Sequence, residues 1–327
     1  MRLRIVAAVN DPPVWVLPRH EIERIASALP EADVVDARDP ELRKEELPRA
    51  DVLLITKLTV EEARLAARVR WIQSTAVGIG PLLRPEIVQG GIVVTNVRGV
   101  HAPFIAEHAI ALALAVRRSL HVSAARQRDR EWAQSEIEAI PASPAGESRM
   151  LVVGLGAIGS RVARMAAGLG FEVHAIRRRP ELGGPEGVVR VVGPDRLLDE
   201  LPEAEVVVLA TPTTTDTRIM IGRTELAAMR KTAVLVNVAR GRLVDEAALV
   251  DALERRQIAG AGLDAFVEEP LPREHALWGL PNVLMSPHSA AFGRDYWRPV
   301  IDLFLDNFRR FVRGETLLNV VDKANGY

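Results

Sequence analysis

Apolar and polar positions fall into short blocks along this chain, and their period switches between that of a strand and that of a helix. In the first hundred residues, apolar runs of strand length stand at residues 3–9, Val52–Ile55, Trp71–Ser74 and 92–95. Residues 59–62 (TVEE) form a capping-box pattern that opens a helix through Ala67. Strands alternating with helices imply a parallel sheet covered by helices on both faces. Residues 103–120 are strongly apolar without internal breakers, which predicts a long buried helix bridging two domains. Residues 121–148 begin helical and charged, then loosen at residues 141–146 (PASPAG). That segment reads either as an arm packing on another subunit, with Trp132 as its anchor, or as a surface helix and linker.

A second alternating block starts at residue 150. Residues 150–153 suit a buried strand, and residues 171–176 make another. Between them Ile158, Val162, Met165, Ala166 and Leu169 share one helical stripe, which Gly168 and Gly170 end. Gly154, Gly156 and Gly159 supply G-x-G-x-x-G at the turn into that helix. In this setting the first glycine permits the turn, the second admits a pyrophosphate and the third lets helix and strand approach. Free N–H groups at the helix start would receive the phosphates. The loop Gly154, Leu155, Gly156, Ala157, Ile158 and Gly159 is therefore a candidate dinucleotide cradle. The competing reading is a glycine turn in a βαβ unit with no ligand.

An NAD-binding unit usually carries an acidic residue after its second strand, for the ribose 2′-OH. This chain has Arg177, Arg178 and Arg179 there. Guanidinium groups can bind a 2′-phosphate that a carboxylate would repel, which favours NADP(H) with NAD(H) as the second choice. A solvated basic turn is the plainer alternative.

The rhythm continues with strand-like runs at residues 206–210, 233–238 and 262–264 and helices at residues 194–201, 224–229 and 245–256. Polar clusters follow the strands: residues 211–217 (TPTTTDT), 237–241 (NVARG), 263–270 (LDAFVEEP) and 286–291 (SPHSAA). In a parallel sheet these ends share one edge, so Arg240, Glu269 and His288 can converge. Reduction of a 2-oxo acid beside a nicotinamide needs such a set. Histidine supplies the proton, a neighbouring carboxylate orients and charges it, and an arginine fork holds the substrate carboxylate. Taken singly, each residue also fits a turn. The loop at residues 75–80 (TAVGIG) could offer backbone N–H groups to a small carboxylate, or be an ordinary turn. His101 and His108 read as structural.

Composition narrows the classes. The chain has 327 residues, a net charge of −1 with well-mixed signs, and no cysteine. Two domains are expected, without disulfides or a thiolate site, and nothing points to nucleic acid, a membrane surface or a metal. The start, MRLRIVAAVND, is too quickly charged for a signal peptide, and no apolar run reaches membrane length, so a cytoplasmic protein is expected. Abundant Arg and Ala fit a GC-rich or heat-loving source.

These motifs together resemble the D-isomer-specific 2-hydroxyacid dehydrogenase family over nearly the whole chain. The resemblance rests on Thr95 and Asn96, residues 106–108 (AEH), the glycine fingerprint, residues 237–246 (NVARGRLVDE), Leu263 and Asp264 followed by Glu269 and Pro270, and Pro287 with His288. It implies that Arg240, Glu269 and His288 are catalytic, with His288 the general acid in reduction. It implies that Val77 and Gly78 bind the substrate carboxylate through backbone amides. Asp264 would contact the carboxamide, and Thr211, Pro212 and Val238, with His288, would line the dinucleotide. A D product follows from the resemblance alone.

The acidic residue usual after the second cofactor strand aligns with Arg177, which strengthens the NADP(H) expectation. The family's formate dehydrogenases have glutamine at Glu269, which argues against formate oxidation. The loop at residues 75–80 replaces the commoner Ala-Gly-Val-Asp type, and the regulatory domain of the longer phosphoglycerate dehydrogenases is not expected. The implied fold is α/β: two doubly wound parallel-sheet domains, a Rossmann cofactor domain at residues 101–288 inserted into a flavodoxin-like substrate domain at residues 1–100 and 289–327. A helix over residues 296–311 would carry the chain back. The expected enzyme is an NADP(H)-preferring reductase of glyoxylate or hydroxypyruvate, acting as a homodimer. The alternatives are a bulkier or phosphorylated acid, with Arg84, Arg98, Trp15 and Trp297 as pocket candidates, or a dinucleotide-sensing binding protein resembling the related corepressors.

Overall fold

A computed structural model describes residues 2–12, 15–138 and 142–323. The chain forms two compact units, Met1–His101 with Gly293–Tyr327, and Ala102–Phe292.

The first unit is built on strands β1 (Arg4–Ala7), β4 (Asp33–Asp36), β5 (Val52–Ile55), β6 (Trp71–Ser74) and β7 (Val93–Thr95), with a short antiparallel ribbon of β2 (Asn10–Asp11) and β3 (Trp15–Val16). The five-stranded sheet is parallel in the order β4-β1-β5-β6-β7, a flavodoxin-like arrangement. β5 and β6 are buried at every position, as a sheet covered on both faces requires. The capping box at Thr59 and Glu62 is formed, and its helix runs Val60–Leu65. The returning helix is Trp297–Arg313, whose Val300, Ile301, Phe304, Leu305 and Phe308 make one buried stripe. Phe304 stacks on Trp71 at 5.3 Å, and the Trp71 indole donates to Thr95 Oγ1 at 2.8 Å, so the largest core side chain keeps its polar atom satisfied.

The second unit contains β8 (Arg149–Val153), β9 (Glu172–Ile176), β10 (Val188–Val192), β11 (Val206–Leu209), β12 (Val234–Asn237), β13 (Gly260–Leu263) and β14 (Val283–Met285). Its parallel order, β10-β9-β8-β11-β12-β13-β14, is the Rossmann order with one added strand. Alternate residues of β8 and β11 face opposite sides. Met150, Val152, Val206 and Val208 pack with helices Ala102–Arg117 and Ala157–Gly168, whereas Leu151, Val153, Val207 and Leu209 pack with helix Glu246–Glu254 and its neighbours.

Several sequence expectations change here. The helix expected over residues 103–120 stops at Arg117, because Ser119 adopts a left-handed conformation (φ 53°) and a new helix, Leu120–Asp129, begins. The Arg117 guanidinium is turned inward, donating to Ser143 O at 2.8 Å and Ser148 Oγ at 2.7 Å. Pro141 of the predicted loose segment lies outside the described residues. β10 was not foreseen. The divisions fall at 101/102 and 292/293 instead of 100/101 and 288/289. His101 stacks on Tyr296 at 4.1 Å, which keeps it in the first unit. Ser289 and Ala290 are tied by their N–H groups to Asp264, which keeps them in the second. Among the described residues, no helix is long and apolar enough to cross a membrane.

Candidate active site

The glycine loop has the shape its spacing predicts. Gly154 sits at φ +103°, and a Cβ there would come within 2.7 Å of Ala210 O and 2.9 Å of Thr211 N. The first glycine therefore permits both the turn and the close passage of the loop after β11. A Cβ on Gly159 would lie 1.8 Å from Gly154 O, so only glycine lets the helix rest on the turn. At Gly156 a Cβ would meet nothing within 4 Å. That open space lies at the start of helix Ala157–Gly168, where no side chain caps the free N–H groups. An uncapped helix start facing open space fits a pyrophosphate. Leu155 is buried beneath the loop, whereas Gly156 and Ala157 are exposed and Ile158 is half-buried. Thr211 is half-buried, Pro212 exposed and Val238 buried. In the loop after β11 the Thr213 hydroxyl is enclosed without a hydrogen-bond partner among the described residues.

Arg177 follows β9 directly. Its N–H pairs with Val192 O of β10, and its guanidinium donates to Gly183 O at 2.7 Å. Arg178 and Arg179 are exposed beside it. The edge strand that the sequence did not announce thus fixes the backbone of the first arginine, and the Gly183 carbonyl holds its side chain.

Arg240, Glu269 and His288 stand in the loops after β12, β13 and β14. Asn237 closes the first loop, donating through Nδ2 to Arg240 O at 2.9 Å and accepting from Ala239 N at 3.0 Å. Glu269 accepts the Phe266 N–H at 2.9 Å through one oxygen and holds His288 Nδ1 at 2.7 Å through the other. This bond places a proton on Nδ1, leaving Nε2 as the outward nitrogen. His288 reaches this position through a left-handed backbone (φ 51°). Burial pushes the Glu269 carboxyl upward, but the bonds from His288 and Phe266, with the charges of His288 and Arg240, outweigh it and hold the carboxyl below its usual range. Desolvation by surrounding protein lowers the Arg240 pKa, and the Glu269 charge opposes it. Because Arg240 keeps an exposed face, that desolvation is incomplete and the guanidinium stays charged.

Asp264 is 2% exposed, and its oxygens accept from Ser286 Oγ at 2.6 Å, Ser289 N at 2.9 Å and Ala290 N at 3.0 Å. It braces the segment carrying His288, and any carboxamide contact would share oxygens already engaged. His108 joins this network through Ser286 Oγ at 2.7 Å. Sequence reading treated His108 as structural and did not connect it to Asp264, because the partners come from segments far apart. A polar His within the apolar run at residues 103–120 was the available signal.

In the first unit, Val77 and Gly78 are exposed in the loop after β6. Asn96 Nδ2 donates to Val77 O at 2.9 Å, and Thr75 Oγ1 meets Thr56 Oγ1 at 2.9 Å, so the loop is held from beneath. Arg84 Nε is engaged by Leu58 O at 2.9 Å. Trp15 and Trp297 both pack on Tyr296, at 5.5 and 5.2 Å.

Comparison with known proteins places the chain in a family. Residues 110–290 match the model of the D-isomer specific 2-hydroxyacid dehydrogenase NAD binding domain. A glyoxylate reductase of Korarchaeum cryptofilum is 34% identical over 278 residues, 83% of this chain and 81% of the relative. A D-3-phosphoglycerate dehydrogenase of Methanocaldococcus jannaschii is 31% identical over 94% of this chain, which spans 59% of that relative's length. Among solved structures, a D-isomer specific 2-hydroxyacid dehydrogenase from Xanthobacter autotrophicus Py2, in complex with NADPH and MES, is 28% identical with a TM-score of 0.83, covering 100% of both chains. The chain belongs to the D-isomer specific 2-hydroxyacid dehydrogenase family. It is an NAD(P)-dependent oxidoreductase of 2-hydroxy acids.

Proposed function

We propose that this enzyme reduces a small 2-oxo acid, glyoxylate or hydroxypyruvate, with NADP(H) as the preferred nicotinamide. The 2.7 Å bond between His288 and Glu269 carries the reading, because it makes a proton donor out of a half-exposed imidazole. The nicotinamide, when bound, supplies the hydride. Gly154, Leu155, Gly156, Ala157, Ile158 and Gly159 would hold its pyrophosphate, and Arg177 and Arg178 the 2′-phosphate. Thr211, Pro212, Val238 and Asp264 would line the rest. Arg240 holds the substrate carboxylate and polarises the carbonyl beside it. Val77 and Gly78 would offer backbone N–H groups to a substrate carboxylate. His288 Nε2 delivers the proton to the forming hydroxyl, and the charged Glu269 stabilises the imidazolium before transfer. The small-acid assignment draws on the glyoxylate reductase relative.

The test is a panel of 2-oxo acids, including bulky and phosphorylated ones, assayed with NADPH and NADH. Glyoxylate or hydroxypyruvate with NADPH should give the highest kcat/KM. His288→Ala should lower turnover by about 10²- to 10⁴-fold while NADPH still binds. Turnover retained in that variant would remove His288 from the mechanism, and preference for a phosphorylated acid would replace the substrate.

A further inference from the structure

We propose that Glu246, braced by His275, is a positioning residue that sets Glu269 against Arg240; this rests on the reading of the trio given above. Glu246 is the first residue of helix Glu246–Glu254, yet it is not needed as a cap. Asp245 fills that role, accepting the Ala248 N–H at 3.0 Å. The Glu246 carboxylate instead leaves its own helix. One oxygen accepts the Val267 N–H at 3.1 Å, and the other meets His275 Nε2 at 3.1 Å. His275 Nδ1 accepts the Leu277 N–H at 3.3 Å, which puts the imidazole proton on Nε2 and makes it a donor to Glu246. The carboxylate is thus fixed from behind by a side chain that is itself fixed by backbone.

The place where this bond lands matters most. Phe266 and Val267 are consecutive, and their N–H groups are held by two different carboxylates: Glu269 takes the first, Glu246 the second. The same peptide lies against Gly241. A Cβ on Gly241 would come within 1.9 Å of Phe266 C and 2.3 Å of Val267 N. Gly241 follows Arg240 directly, so the loop bearing the carboxylate is seated on the loop bearing the arginine. Glu246 is the clamp on that seat. Without it the 266–269 loop keeps only the Glu269–His288 bond and its seat on Gly241 as holds from other segments, and a shift there moves Glu269 relative to Arg240.

Two measurements on Glu246→Ala test this. Amide exchange at Phe266 and Val267 should accelerate. Turnover of the 2-oxo acid should fall about 10- to 100-fold, the scale expected for a displacement near 1 Å, with KM and NADPH affinity changed by less than about threefold. Glu246→Gln keeps an acceptor for the Val267 N–H and should restore exchange protection and most of the turnover. If Glu246→Ala does not fold, His275→Gln carries the test, with the same changes at smaller amplitude. Unchanged exchange would remove the clamp. Accelerated exchange with unchanged turnover would reduce Glu246 to a structural contact. A wild-type chain inactive on every 2-oxo acid would instead overturn the reading of the trio, and exchange would still show whether the clamp exists.

Discussion

At the scale of single residues, the proposed NADP(H) preference rests on the placement of charge. Arg177 is tethered through one guanidinium nitrogen to Gly183 O, which orients the side chain while leaving other donors for an anion. Arg177→Asp should therefore weaken NADPH binding relative to NADH by about tenfold or more, the worth of one lost charge-assisted hydrogen bond plus like-charge repulsion. Titration of both reduced nicotinamides by fluorescence measures this, and an unchanged ratio would move the reading to Arg178 or Arg179. The glycine spacing and the arginines were legible in the sequence because each is local chemistry beyond an apolar run, whereas the trio, each member of which alone also fits a turn, was read through the family resemblance. The φ of +51° at His288 was not, since a non-glycine residue in the left-handed region depends on what holds it. Here that holder is Asp264, with His108 behind it through Ser286. The same limit hid Glu246 and His275: their bond joins a helix start to a later loop, and no periodicity records it.

At the scale of elements, the strands buried on both faces were readable, because a continuous apolar run has few other uses. The exposed ones were not. β10 shows partly exposed valines around Arg190, a pattern that a loop also tolerates. The break at Ser119 lacks a glycine or proline to announce it. Polar contacts between elements add a second level of control. Arg4 at the start of β1 donates through Nε to Glu46 Oε2 at 2.6 Å, at the end of helix Pro40–Glu46, and it also pairs with Asp33 of β4. The hydrogen bond from Arg4 is the strongest influence on Glu46 and, with the charges of Arg4 and Arg49, holds its carboxyl below the usual range against the opposing effect of burial. A carboxyl lowered by folding adds stability above its unfolded pKa, near 4.3, and that stability is lost as pH falls through the folded value. Glu46→Gln should cost about 1–3 kcal/mol at neutral pH, and the difference from wild type should shrink between about pH 5 and pH 3. Urea unfolding at fixed pH measures it; a difference that does not vary with pH would mean that the ion pair is not responsible.

At the scale of the molecule, the chain leaves its first unit after His101 and returns to it at Gly293. Each unit has its own sheet and its own apolar clusters. The glycine cradle and Arg177 belong wholly to the second unit, so NADPH should raise the exchange protection of β8, β9 and β11 more than that of β1 and β5. At a hundredfold excess over Kd the gain expected is about 2.7 kcal/mol. Equal protection of both sheets in an exchange experiment would argue that the cofactor is held by more than this cradle. Among the described residues, β10 ends its sheet with only β9 beside it, leaving one side with open backbone groups. Four valines and one arginine compose it, and Val189 is 70% exposed. Such a segment is a template for sheet growth between molecules. Arg190, at its centre and ion-paired to the buried Glu200 at 2.8 Å, is the charge that interrupts it. The strand that pairs with the backbone of Arg177 thus carries its own charge against sheet growth, and a redesign of nicotinamide preference along that edge that removed this charge would have aggregation as its competing outcome.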